Sequence, residues 1–152
     1  MDTDLARSGL LASDMDATAD TPSGFGTSVV PSYTFPYYLP DGTRHPRLWR
    51  KRLLNPAPGV GKYTQPSKED LVAAGGTPDE ATYPYLNPHV LAQGGLTWAD
   101  VFNTKGKSVL LVEGEKKAVA AMKYVGRPAI GFAGAYNAMQ RLAPPPTPAG
   151  AA

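Results

Sequence analysis

One carboxylate in this sequence stands where chemistry is ordinarily done. Glu113 follows the aliphatic run Val109-Leu110-Leu111-Val112 and precedes Gly114. A carboxylate directly after a buried strand sits at the carboxyl edge of a sheet, where open α/β sheets place their ligands. There it suits either a metal ligand or a general acid–base group. Glu113 and Glu115 would equally well complement the dipole of a following helix, with no chemistry at all. Lys116 and Lys117 oppose that dipole, and read either as phosphate contacts in the sheet-edge crevice or as exposed helix lysines.

A second group lies upstream. Arg47, Trp49, Arg50, Lys51 and Arg52 crowd one short stretch, with Lys62 beyond a Gly/Pro-rich loop. Cations neutralise phosphate while bases stack on Trp or Tyr, a combination suited to single-stranded nucleic acid. The competing reading puts Trp49 in the core and the arginines in solvent. Strand alternation places Leu48, Arg50 and Arg52 on one face, and Arg47, Trp49, Lys51 and Leu53 on the other. Charge is distributed to match. Residues 44–68 carry Arg44, Arg47, Arg50, Lys51, Arg52, Lys62 and Lys68 with no acid, whereas Asp2, Asp4, Asp14, Asp16 and Asp20 stand against Arg7 alone near the start. This suggests a polyanion-binding face and an acidic tail able to screen it, or more simply a solvated strand face and a floppy end.

Other chemistries lack their residues. The 152 residues include no Cys, which excludes disulfides, thiolate metal sites and cysteine nucleophiles, and fits a reducing compartment. His45 and His89 each adjoin a proline, and no zinc-ligand spacing exists. Gly59-Val60-Gly61-Lys62 is not the end of a P-loop, because residue 56 is Pro and residue 63 is Tyr. The acidic, polar start is unlike a secretory signal, and no apolar run approaches bilayer length. The expectation is a soluble, cytoplasmic protein with no membrane partner.

These groups need elements to hold them. Val29 to Leu39 is rich in β-branched and aromatic residues, with Pro31 and Pro36 arguing for an irregular strand. Pro40-Asp41-Gly42-Thr43 is a turn, and Pro46 to Leu54 the second strand of a hairpin. Ser67 caps a short helix to Ala74, with Asp70 three residues on. Tyr83 to Leu91 reads as extended. Thr97 caps a helix from Trp98 to Phe102, whose aromatics read as core. Val109 to Val112 is expected to be a strand buried on both faces. Glu115 to Val125 is a helix closed by Gly126, and Arg127 to Phe132 a second strand parallel to the first.

The stretch SVLLVEGEKKAVAAMKYVGRPAIGFAGAYN, Ser108 to Asn137, resembles the opening motif of Toprim domains, the catalytic fold shared by bacterial-type primases and topoisomerases. It is most similar to the Toprim-like domains of phage and plasmid replication proteins, with their "EGEKKA" and "PAIG…G…N" patterns. Upstream, YYLPDG, RLWRKRLLNP and GKYTQP are similar to the segment preceding Toprim there. The resemblance covers roughly residues 25 to 140 and is specific only over 108–137. It implies that Glu113 is the acid–base group of an Mg²⁺-dependent phosphoryl transfer, primase-like or nuclease-like, and that Gly114, Gly131 and Gly134 are structural glycines. The family's later Asp-x-Asp metal pair has no counterpart, since no acid follows Glu115.

The fold expected is therefore α/β: an incomplete Toprim-like parallel βαβ unit preceded by a basic β-rich segment, with disordered termini. The divisions are an acidic disordered tail over 1–24, a basic β-rich segment over 25–96, a partial Toprim-like domain over 97–142, and a Pro/Ala-rich disordered tail over 143–152. The expected function is association with nucleic acid, single-stranded DNA by preference, in the replication system of a mobile element. Arg47, Trp49, Arg50, Lys51, Arg52, Lys62, Lys116 and Lys117 would make the contacts. Glu113 is the one candidate metal ligand and does not complete a site, so the chain alone is expected to be inactive. The alternative is a truncated remnant that binds nucleic acid or a partner protein, such as a replication protein supplying the rest of the fold.

Overall fold

The structure is a computed structural model describing residues 2–19, 31–59 and 61–133. In chain order the elements are α1 (Asp2–Arg7), α2 (Ala12–Met15), β1 (Thr18–Ala19), β2 (Ser32–Tyr38), β3 (Arg44–Leu53), β4 (Tyr63–Thr64), α3 (Lys68–Ala73), a 3₁₀ turn (Pro78–Thr82), α4 (Pro88–Gln93), α5 (Trp98–Asn103), β5 (Leu110–Glu113), α6 (Glu115–Val125) and β6 (Ala129–Phe132). The architecture is mixed α/β. Four strands form an antiparallel sheet ordered β1-β2-β3-β4, and β5 and β6 pair in parallel.

The hairpin follows its turn chemistry. Asp41 Oδ1 accepts from the Thr43 amide at 2.9 Å, and Gly42 takes φ +87°. Pro36 lies inside β2, and the register with β3 shifts between Pro36 and Tyr38. A proline has no N–H to give the ladder, so the strand is irregular there. α3 and α5 carry the expected capping boxes, Ser67 with Asp70 and Thr97 with Asp100. Trp98 is buried as expected, whereas Phe102 lies outside the core and stacks on it at 5.6 Å between ring centroids.

One core serves both sheets. Tyr33, Phe35 and Tyr37 of β2 meet Tyr85, Leu86, Leu91 and Trp98, then Ala118, Val119 and Met122 of α6. Tyr85 also exchanges backbone hydrogen bonds with Gly131 at 2.8 and 3.1 Å, so β6 is flanked on the side away from β5.

Three expectations need correction. The acidic segment is not a disordered tail over residues 2–19: α1, α2 and β1 lie against the body, with Leu5, Leu10 and Met15 in the core. Three apolar anchors suffice because Asp4, Asp14 and Asp16 each find a cation on the body. Tyr83 to Leu91 is not extended throughout, because Asn87 caps α4 by accepting from the amides of His89 and Val90 at 3.0 Å, with Pro88 at the first helical position. β5 is not buried on both faces, since Leu110 and Val112 are half-buried while Leu111 remains 49% exposed. Residues 20–30 and 134–152, with the expected strand start at Val29, Gly134 and the 143–152 tail, lie outside the described residues.

Candidate nucleic-acid interface

At the carboxyl end of β5, two glutamates two residues apart go opposite ways. Glu113 ends the strand, pairs in register with Phe132 and is exposed. Gly114 then turns the chain with φ +95°, a value open to glycine and strained for other residues. Gly131 is needed for space: a Cβ there would lie 3.1 Å from the Gly114 carbonyl oxygen and 3.3 Å from Ala118 Cβ. Glu115 opens α6 turned inward and is 2% exposed. Its Oε1 accepts from the Tyr37 hydroxyl at 2.6 Å and from Arg50 at 2.5 Å. Burial, then the Glu115 charge, pushes the Tyr37 phenol well above its ordinary range.

This donor set does not fit Mg²⁺, which takes oxygen ligands in near-octahedral array, with carboxylates usually shared with substrate phosphates. The nearest second carboxylate to Glu113 in sequence is committed to Arg50 and Tyr37. Among the described residues no group of three His, Cys, Asp or Glu side chains gathers.

The basic strand is divided by its register. Arg50 stands opposite Phe35 and Arg52 opposite Tyr33, so both guanidinium groups follow the inward-facing aromatics. Tyr63 of β4 lies under both, with guanidinium carbons 4.4 and 5.2 Å from its ring centroid. Arg50 meets Glu115, and Arg52 meets Asp4 at 3.4 Å. Lys116 also reaches Asp4, at 3.0 Å, and Tyr33 donates its hydroxyl to Asp4 at 2.5 Å. Burial would raise the Asp4 carboxyl, but these hydrogen bonds and the Lys116 and Arg52 charges hold it below the usual value. The register therefore splits the strand, with Arg50 and Arg52 turned inward and Trp49 turned out.

The opposite face carries what is accessible. Trp49 is 37% exposed beside Pro36, its register partner, and the Lys51 ammonium lies 6.0 Å from its ring. A groove of ≈ 300 Å³ runs past Trp49, lined also by Asp16, Thr18, Thr34, Pro36, Arg44 and Arg47, with Asp16 paired to Arg44. Arg47 is held at its rim by Glu80, with Nε to Oε2 at 2.9 Å. Lys62 and Lys117 are exposed but stand on the β3–β4 connection and on α6. The eight expected contact residues thus divide: Trp49, Lys51 and Arg47 share an open sheet face, Arg50, Arg52 and Lys116 form an inner cluster, and Lys62 and Lys117 stand apart.

Sequence reasoning missed the partners. Tyr33 and Tyr37 were legible only as strand aromatics, and Tyr63 only as the end of a Gly/Pro-rich loop. The available signal was the pairing rule itself: inward-facing arginines require acids, and the acidic residues near the start were in excess. No family model, curated protein or solved structure matches this chain.

Proposed function

We propose that the chain is a nucleic-acid-associated module of a mobile-element replication system, similar to the opening part of a Toprim domain, that binds single strands without transferring phosphoryl groups. The observation that carries this reading is the outer face of β3, where Trp49 stands exposed over a groove with Lys51 beside it and Arg47 at the rim. An accessible indole gives a base a stacking surface, and flanking cations meet the backbone on either side. The β5–α6–β6 unit, with Gly114 at its turn and Gly131 packed beside it in β6, supports the Toprim-like comparison. The lone, exposed Glu113 and the sequestered Glu115 argue against chemistry at the sheet edge.

The test is fluorescence anisotropy with a labelled oligothymidylate across a salt series. Binding should weaken as salt rises, and Trp49→Ala should weaken it about tenfold, in keeping with the loss of one stacked base. Lys51→Ala should shallow the salt dependence by about one released counterion. Affinity untouched by Trp49→Ala would refute the reading.

A second reading, in which a replication protein supplies further sheet, is favoured by one observation. Among the described residues β5 pairs only with β6, and Leu111 on it is 49% exposed. An apolar strand with an open edge is a template for another strand.

A further inference from the structure

The inner cluster holds a carboxylate where a phosphate would fit better. Asp4 receives three donors from three elements: the Tyr33 hydroxyl of β2 at 2.5 Å, the Lys116 ammonium of α6 at 3.0 Å and the Arg52 guanidinium of β3 at 3.4 Å. Its charge is matched against two cations. Arg50, next in the row, is already neutralised by Glu115. The cradle formed by Tyr33, Arg52 and Lys116 is therefore one negative charge short. It is short of an acceptor too, because the Nε atom of Arg52 is buried with no hydrogen-bond partner.

From this we infer a second binding site: the cradle takes a phosphate monoester, the terminal phosphate of a nucleic-acid strand, in place of the Asp4 carboxylate. A monoester carries about −1.5 to −2 near neutral pH and three acceptor oxygens, which answers both deficits, whereas a backbone diester would only repeat the single charge of Asp4. The exchange requires α1 alone to move. That helix holds one buried apolar residue, Leu5, while Leu10 and Met15 lie beyond it and keep the rest of the segment in place. The choice of a nucleic-acid end as the source of the phosphate rests on the function proposed above. The cradle itself lies on the other face of the sheet from Trp49.

The experiment compares 5′-phosphorylated and 5′-hydroxyl oligothymidylate on the full chain, for the wild type and for Asp4→Asn, which keeps an acceptor for Tyr33 and removes the competing charge. The phosphorylated strand should bind two- to threefold tighter than the hydroxyl strand in the wild type, and at least tenfold tighter in Asp4→Asn. Lys116→Gln should erase that preference. Inorganic phosphate should compete away the preference only at concentrations far above the oligonucleotide's; if it does so at equal concentration, the site is for free phosphate and the strand-end assignment is overturned. Should Asp4→Asn not fold, hydrogen exchange of the wild type decides. The amides of Ser8, Gly9 and Leu10, bonded back into α1, should exchange faster with the phosphorylated strand than with the hydroxyl strand. Equal binding of the two strands in both proteins, or equal exchange, overturns the cradle. Failure of the outer-face reading shows separately, as hydroxyl-strand binding that ignores Trp49→Ala.

Discussion

Arg50→Ala should be among the most damaging single substitutions in this chain, and its effect can be worked out from the geometry. The Glu115 side chain is 3% exposed and receives one charged and one neutral hydrogen bond. At contact distance and an effective dielectric constant of about 20, the Arg50–Glu115 attraction is of order 4 kcal/mol. Removing the guanidinium leaves a buried carboxylate with the Tyr37 hydroxyl as its sole donor, and stranding one member of such a pair costs about 3–5 kcal/mol. For a chain of this size that is a fall in Tm of roughly 10–20 °C. Loss of the guanidinium from the Tyr63 ring acts in the same direction.

Urea and thermal unfolding, followed by circular dichroism, measure the effect. The control is Glu113→Gln two residues away, which alters an exposed side chain and should stay within about 0.5 kcal/mol. The pairing is isolated by the double variant Arg50→Ala/Glu115→Gln. It removes the stranded charge, and should recover at least 2 kcal/mol relative to the sum of the single changes. An Arg50→Ala loss below 1 kcal/mol, or a Glu113→Gln loss as large, would refute the argument that Glu115 rather than Glu113 is the glutamate built into this structure.

Two further outcomes follow from the same packing. His45 is buried, and its Nδ1 accepts from the amides of Arg47 and Leu48 at 3.1 and 3.0 Å. Burial, with Arg47 adding and Glu80 opposing, holds its pKa below 6.5. A depressed folded pKa means full stability above 6.5 and loss as pH falls below it, so Tm should drop between pH 7.5 and 5.5 more in the wild type than in His45→Asn. Gly131→Ala should cost about 1–3 kcal/mol in denaturant unfolding, because the new methyl meets backbone at 3.1 Å rather than a yielding side chain.

Much of the local structure was legible because its signals are local. Ser67 with Asp70, Thr97 with Asp100, the Pro40–Thr43 turn and the Gly114 and Gly126 boundaries of α6 each act within a few residues of their cause. The alternation of β3 was also legible, as two faces. Which face turns inward was not. Leu48 is one apolar vote, and the decision belongs to β2, whose Tyr33 and Phe35 stand opposite Arg52 and Arg50. Burying those arginines then depends on Asp4 and Glu115, 48 and 65 residues away along the chain. No window of sequence contains that information. The segment over residues 2–19 failed for the same reason, since its three apolar anchors are too few to predict order until the cations that meet its acids are placed.

That dependence bears on how the charge of this chain should be read. A run of cations with no acid in it looks like a surface waiting for a polyanion, and by composition alone every member counts equally. Here the acids arrive from elsewhere and sort the run. Arg50 is matched by a glutamate of α6 and Arg47 by Glu80. Arg52 shares a single aspartate with Lys116, and it is the only one of the three arginines with less than a full counter-charge. A matched and buried arginine such as Arg50 contributes shape and rigidity, and exchanging its partner for a phosphate gains little. A shared aspartate leaves a real electrostatic demand. The affinity of this strand for an anion should therefore be sought where the internal matching is incomplete, at Arg52 and Lys116, and its affinity for bases beside the Trp49 indole of the opposite face.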